Sequence, residues 1–333
     1  MQTTSGPTDL SPGARQPETG STAAYQGSVQ EWHSRSVEPH GKPLPRRLIR
    51  RRPISAAALG IVGVPLIEPL RDNRNPCSLF SPGVSMQQIA TNAWMGTGTE
   101  VNWLVVRDGG ALTVVDSGWP GDVSALEGSI RAIGHDPRDI TAVLLTHAHV
   151  DHTGGLAALW SRYRIPVLMH PAEVPLATGQ HREQASVNDV VCCAWRPRVA
   201  RWAVQILRAG ALQHPVISHA AAWPDEGPLD LPGGPMPIGC PGHTSGHTAY
   251  LFPGLGVIAT GDALVTAHPV SGKTVPHLLP GFFNTDTGRA RESLDILAAV
   301  DADTVVPGHG QVWTDSIRAA VNTAAAEFDT ARS

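Results

Sequence analysis

The sequence predicts an α/β fold in which sheets carry helices on their outer faces. Two observations predict it. From residue 86 onward, short apolar runs of strand length alternate with amphipathic helical stretches. Between two such runs, Gly109-Gly110 marks a hairpin turn. Taken in order, residues 86–95 and 101–106 are strand candidates, and residues 111–115 are a buried strand ending in Asp116-Ser117-Gly118. Residues 122–133 read as a helix and residues 140–145 as an apolar strand. Residues 155–163 read as a helix and 167–169 as a strand. Residues 171–215 read as helical, with Trp195 and Trp202 spaced to share a face. Strand candidates follow at 236–240, 248–252, 257–260 and 304–306, with helices at 289–300 and 314–331.

Composition narrows the class. Of 333 residues, 41% are hydrophobic and 16% charged, which describes a soluble globular protein. A net charge of −4 argues against a nucleic-acid partner, which calls for a basic face. The four cysteines, Cys77, Cys192, Cys193 and Cys240, form no C-x-x-C pair and no disulfide framework, so a reducing cytoplasm is the expected setting. Cys192-Cys193 reads as helix packing and Cys240 as a buried strand thiol.

Residues 1–85 differ from the rest. They are rich in Pro, Ser, Gly and Arg and carry ten Arg/Lys against six Asp/Glu. A disordered or loosely packed extension is expected there, ahead of a globular domain at 86–331. Within it, residues 46–70 set Arg46-Arg47 and Arg50-Arg51-Arg52 before an uncharged run that superficially resembles a secretory signal. That run is too short to span a bilayer and is interrupted by Pro65 and Glu68, so no stable membrane span is expected. Membrane association or export through residues 46–70 is the alternative to the cytoplasm.

The most informative feature is Thr-His-Ala-His-Val-Asp-His-Thr-Gly-Gly at residues 146–155, directly after the 140–145 strand. In an extended chain, His147 and His149 point the same way because side chains alternate with period two. Asp151 and His152 follow in a turn, where they can face a second ion. Imidazole nitrogens with carboxylate oxygens suit zinc, and also iron or manganese. Three further ligand-type residues sit beside glycine where strands end: His243 in Pro-Gly-His-Thr-Ser-Gly-His, Asp262 in Thr-Gly-Asp-Ala-Leu and His309 in Pro-Gly-His-Gly. Ser117 does not sit in G-x-S-x-G and is a poor nucleophile candidate.

With these residues in this order, the chain resembles the metallo-β-lactamase-fold hydrolase superfamily over residues 86–331. The resemblance implies a four-layer αββα sandwich with metals at one edge of the two sheets. It implies that His147, His149 and His243 hold one ion, that Asp151, His152 and His309 hold a second, and that Asp262 bridges them. Two Zn2+ per chain are implied, with Fe or Mn as alternatives. Asp116 is expected behind the ligands, orienting an imidazole, as is His247. The implied function is hydrolysis of a small ester, thioester or lactone by a metal-bound hydroxide, with Asp151 or Asp262 taking the proton.

Within that superfamily, the ligand set is that of the glyoxalase II type. The added helical domain by which that type binds glutathione is not expected, since 24 residues follow His309. Asp262 argues against a dedicated β-lactam hydrolase, Val265 stands where the homoserine lactonases carry Tyr, and a mononuclear iron persulfide dioxygenase would share the motif. The helical insertion at about 171–235, with Trp195, Trp202, Trp223, Arg196, Arg198 and Arg201, is the expected specificity element, joined by Phe282, Phe283 and Asn284. A small-molecule substrate is expected, and a homo-oligomer is compatible with the sequence.

Overall fold

Alternation along each central strand is what builds the layers of this protein. The structure, a computed structural model, describes residues 85–183, 189, 192–224 and 227–330. A boundary between Asp72 and Asn73 divides the chain into two units, and every described element belongs to the second. The expected extension through residue 84, with its signal-like stretch at 46–70, lies outside the described residues.

Seven strands form the first sheet in sequence order: β1 (Ser85–Ala90), β2 (Ala93–Thr97), β3 (Asn102–Asp108), β4 (Ala111–Val115), β5 (Ile140–Leu144), β6 (Val167–Met169) and β7 (Ala220–Ala222). The first four pair antiparallel and the last four parallel. The second sheet has the order β11-β10-β9-β8, from β8 (Met236–Gly239), β9 (Thr248–Phe252), β10 (Val257–Gly261) and β11 (Thr304–Pro307). Among the described residues, the helices include α1 (Val123–Ala132), α2 (Val150–Thr153), α3 (Leu156–Tyr163), α4 (Val174–Ala177), α5 (Pro197–Ala209), α6 (Thr287–Ala298) and α7 (Ile317–Thr330).

In β3, Trp103 and Val105 face a core shared with Leu126 and Ile130 of α1 and Leu156 and Leu159 of α3. Leu104 and Val106 face the opposite way, into a core shared with Tyr250 and Phe252 of β9 and Val257 and Ala259 of β10. In β9, the intervening Ala249 and Leu251 pack with Leu294 and Leu297 of α6 and Ala320, Val321 and Ala324 of α7. Three apolar cores between four layers make an αββα sandwich, the predicted fold. Among the described residues no helix is long and apolar enough to cross a membrane.

Three local readings need correction. Residues 86–95 are two strands of a hairpin, turned at Asn92, whose φ of 71° is a conformation that Asn tolerates better than most residues. The 171–215 region is not one helix. A 3-10 turn (Pro171–Glu173) leads into α4, and α5 begins only at Pro197; Gly179 (φ 76°) and Gly210 (φ 100°) lie where the two segments stop. Trp195 and Trp202 do not share a face: Trp195 is 77% exposed, whereas Trp202 is buried in a fourth apolar cluster with Val199, Trp119 and Val150. The strand β7, just past this region, has no periodic signal, being three alanines.

A buried carboxylate ties α1 to α3. Glu127 accepts from Arg162 Nη1 at 2.6 Å, Tyr163 Oη at 3.1 Å and Arg131 Nη2 at 3.3 Å. Burial pushes its pKa up, but these three donors together outweigh burial and hold it below the usual Glu range. A depressed pKa contributes stability that is present above the unfolded-state value, about 4.3, and is lost as pH falls through the folded one. Glu127→Gln is therefore expected to flatten the acid side of the stability–pH curve. Urea denaturation at pH 3 to 7 checks this, and an unchanged acid slope would exclude the role.

Candidate metal centre

The parallel pairs β4–β5 and β10–β11 end at the same edge of the sandwich, and their carboxyl-end turns carry most of the predicted ligands. Asp116 follows β4, the 147–152 run follows β5, Asp262 follows β10 and His309 follows β11. Asp151 and His152 lie not in an open turn but on the one-turn helix α2, which His149 starts and closes through its carbonyl, accepting from His152 N and Thr153 N. All seven predicted ligands come together. Three groups of ligand atoms cluster within 4.8 Å: His147, His149 and His243; His147, His152 and Asp262; and Asp151, His152 and His309.

The outer hydrogen bonds of the imidazoles decide which nitrogen faces inward. Thr146 Oγ1 donates to Asp116 Oδ2 at 2.8 Å, so it accepts from His147 Nδ1 at 3.1 Å. His243 Nδ1 donates to Asn284 Oδ1 at 3.1 Å, and His149 Nε2 donates to the Glu183 carbonyl. His147 Nε2, His149 Nδ1 and His243 Nε2 are then left with bare lone pairs, and His243 Nε2 lies 3.2 Å and 3.0 Å from the other two. Three lone pairs converging without a proton repel one another, and a cation relieves that repulsion.

The second group is built the same way. His152 Nδ1 donates to Asp116 Oδ2 at 2.8 Å, and His309 Nδ1 donates to the Glu100 carbonyl. His309 Nε2 lies 3.4 Å from Asp151 Oδ2. Asp262 reaches both groups: its Oδ2 is 3.4 Å from His243 Nε2 and 3.3 Å from His309 Nε2, and its Oδ1 is 3.5 Å from His152 Nε2. That last gap is too wide for a good hydrogen bond, and both of its atoms are buried without a hydrogen-bond partner. Buried polar atoms left open in this way fit metal coordination.

Electrostatics point the same way. Burial, then the neighbouring His149, lowers His243 to about 3, and burial, then His152, drives His147 well below its ordinary value. Both are neutral and ready to coordinate. Burial would lower His309 too, but the Asp262 and Asp151 carboxylates outweigh it and raise His309 to about 10. His152 is likewise raised, against its burial, by Asp116, Asp262 and Asp151. The buried carboxylates demand positive charge, and without an ion two protons supply it.

The structure places Asp116 behind His152, in a left-handed backbone conformation (φ 64°), with its Oδ1 accepting from Thr146 N at 2.9 Å. It places His247 behind Asp262, with Nε2 accepting from Asp262 N at 3.1 Å and Nδ1 3.3 Å from Cys240 Sγ. Ser117 Oγ donates to the His152 carbonyl at 2.8 Å and is engaged structurally. Phe282 and Phe283 join the Trp202 cluster, and His268 stands between Trp202 and His309, with ring centroids at 5.2 Å and 5.1 Å. Arg196 and Arg198 donate to the carbonyls of Val270 and Pro269, tying α5 to the His268 loop. Trp223 packs against His170 and Tyr250 instead. Sequence reasoning missed Glu183 and Glu100, whose backbone carbonyls accept from His149 and His309, and Glu173, whose carboxylate holds residues beside His147, His149 and His243.

Gly308 explains one local requirement. A Cβ there would stand 2.2 Å from Asp262 Oδ1. Gly308→Ala is expected to push the Asp262 carboxylate aside and reduce bound metal without unfolding the chain, as read by elemental analysis beside a thermal melt. Full metal content in the variant would contradict the assignment.

Such a fold with such a site defines a metal-dependent hydrolase of the αββα class. The chain belongs to the metallo-beta-lactamase superfamily, whose family description it matches over residues 96–309. Among curated relatives, it is 26% identical over 209 residues to the "Probable metallo-hydrolase YflN" of Bacillus subtilis (strain 168), covering 60% of this chain and 75% of that one. It is 30% identical over 191 residues to a hydroxyacylglutathione hydrolase of Halorhodospira halophila, covering 57% of this chain and only 54% of that relative's length. Among solved structures, the Rm3 metallo-beta-lactamase aligns with a TM-score of 0.53 at 18% identity, covering 74% of this chain and 92% of that one. At that identity the likeness speaks for the fold alone.

Proposed function

We propose that the chain is a dinuclear hydrolase of a small ester, thioester or lactone. The observation that carries this reading is Asp262, whose two oxygens reach His152, His243 and His309 from a single carboxylate. His147, His149 and His243 would hold one ion, Asp151, His152 and His309 the other, and Asp262 both. Zinc is the proposed metal for this nitrogen and carboxylate donor set. Divalent ions at such a centre supply Lewis acidity and a water of lowered pKa. The chain's own residues do the rest. Asp116, Asn284 and the carbonyls of Glu100 and Glu183 fix the imidazole orientations before any substrate arrives. Asp151 is the more open of the two carboxylates, at 15% exposure against 4% for Asp262, and would be the one to take the proton from an attacking water. His268, packed between Phe283 and Trp202, makes an apolar backing for His309 on that side of the centre. The thioester branch draws support from the hydroxyacylglutathione hydrolases among the relatives.

Metal analysis of the purified chain, with turnover measured on thioester, lactone, β-lactam and phosphodiester panels, tests the reading. Two equivalents of metal and chelator-sensitive hydrolysis of an ester-type substrate are expected. One tightly bound iron with persulfide-dependent oxygen uptake would replace it.

A further inference from the structure

We propose that Glu173 is a positioning residue of the metal centre: a buried carboxylate clamp that fixes the His147/His149 loop against the His243 loop and so sets the affinity of one ion site. The proposal rests on the dinuclear reading above. Glu173 belongs to neither loop. It ends the 3-10 turn Pro171–Glu173 that follows β6. Its Oε2 accepts from the backbone N of Ala148, the residue between His147 and His149, at 2.7 Å. Its Oε1 accepts from Thr244 Oγ1 at 2.6 Å and from Gly246 N at 2.9 Å, both just past His243. The side chain is 0% exposed, and all three donors are uncharged.

A buried carboxylate paired only with neutral donors is costly, and here three short hydrogen bonds offset that cost. The contacts here require an acceptor at both ends of a planar group. Glutamine has the same shape but turns one end into an NH2 donor, which would face either Ala148 N–H or Gly246 N–H. One loop would then lose its tie. The Asp151, His152 and His309 group takes its orientation from Asp116 and the Glu100 carbonyl, and none of the contacts described for Glu173 reaches it. The effect of losing the carboxylate is therefore one-sided.

The test is zinc binding to the metal-free full-length chain, by competition with a chromophoric chelator. Wild type, Glu173→Gln, Thr244→Val and the reference variants His149→Ala and His309→Ala are compared. Glu173→Gln is expected to weaken one ion by about 10–100-fold, the usual range for partners that orient ligands, while the other stays within about threefold. Its pattern of loss should follow His149→Ala rather than His309→Ala. Thr244→Val, which removes one of the three hydrogen bonds, should weaken the same ion by a smaller factor. Affinities unchanged in Glu173→Gln, or lowered equally for both ions, would overturn the proposal. If Glu173→Gln does not fold, Thr244→Val decides alone, and unchanged affinities there overturn it as well. A wild-type chain that takes up fewer than two ions would defeat the dinuclear reading instead.

Discussion

Asp262→Asn is expected to lower turnover at least about 1,000-fold, a loss of about 4 kcal/mol in transition-state stabilisation. The metal-free variant should still melt within about 5 °C of the metal-free parent. The two halves of this expectation have separate causes. Asparagine keeps the shape of the side chain and the backbone N–H that His247 Nε2 accepts, so the turn after β10 is preserved. What it removes is a charge shared among His152, His243 and His309. Burial alone would raise the Asp262 pKa, yet the charges on His309 and His152 hold it well below the ordinary carboxylate value, so the group is anionic in the parent. Steady-state kinetics beside metal content read the outcome. Unchanged turnover with two ions bound would remove Asp262 from its bridging position.

Metal removal should produce the second large effect, and its pH dependence has a definite sign. In the metal-free chain His309 is raised to about 10 and His152 is also raised, so both carry a proton at neutral pH. Each must lose it to coordinate, and loading is expected to release about two protons per chain near pH 7. Apparent affinity should then rise with pH throughout the neutral range. Calorimetry in buffers of different ionisation enthalpy measures the protons directly, and none released would contradict the assignment of these two imidazoles. Chelation should also lower the melting temperature, because each ion at a thousand times its Kd stabilises the fold by about 4 kcal/mol.

Much of this centre is legible in the linear chain, for a physical reason. The ligands sit on short turns at strand ends, where glycine permits the bend and the apolar strand before it announces the position; His243, Asp262 and His309 each follow this rule. The layered fold is legible because β3, β5, β9 and β10 are apolar on both faces, as strands between two layers must be. The misreadings have equally physical origins. Residues 86–95 hide a turn because Asn92 bends the chain without glycine or proline. The 171–215 region alternates apolar and polar residues like a helix, but its prolines and left-handed glycines cut it into pieces. Glu173 leaves no linear signature, since its partners are two backbone amides and a hydroxyl brought in by loops 25 to 73 residues away.

Each of the three ligand groups takes at least one member from the 147–152 run, and its last member is His243, Asp262 or His309. The run belongs to the first sheet and the others to turns of the second. A chain synthesised only as far as residue 242 carries four of the seven donors and cannot complete any group. On the proposed ligand assignment, ion capture would require both sheets to have docked. It would then mark a late step of folding, because no group is complete until His243, Asp262 or His309 is in place.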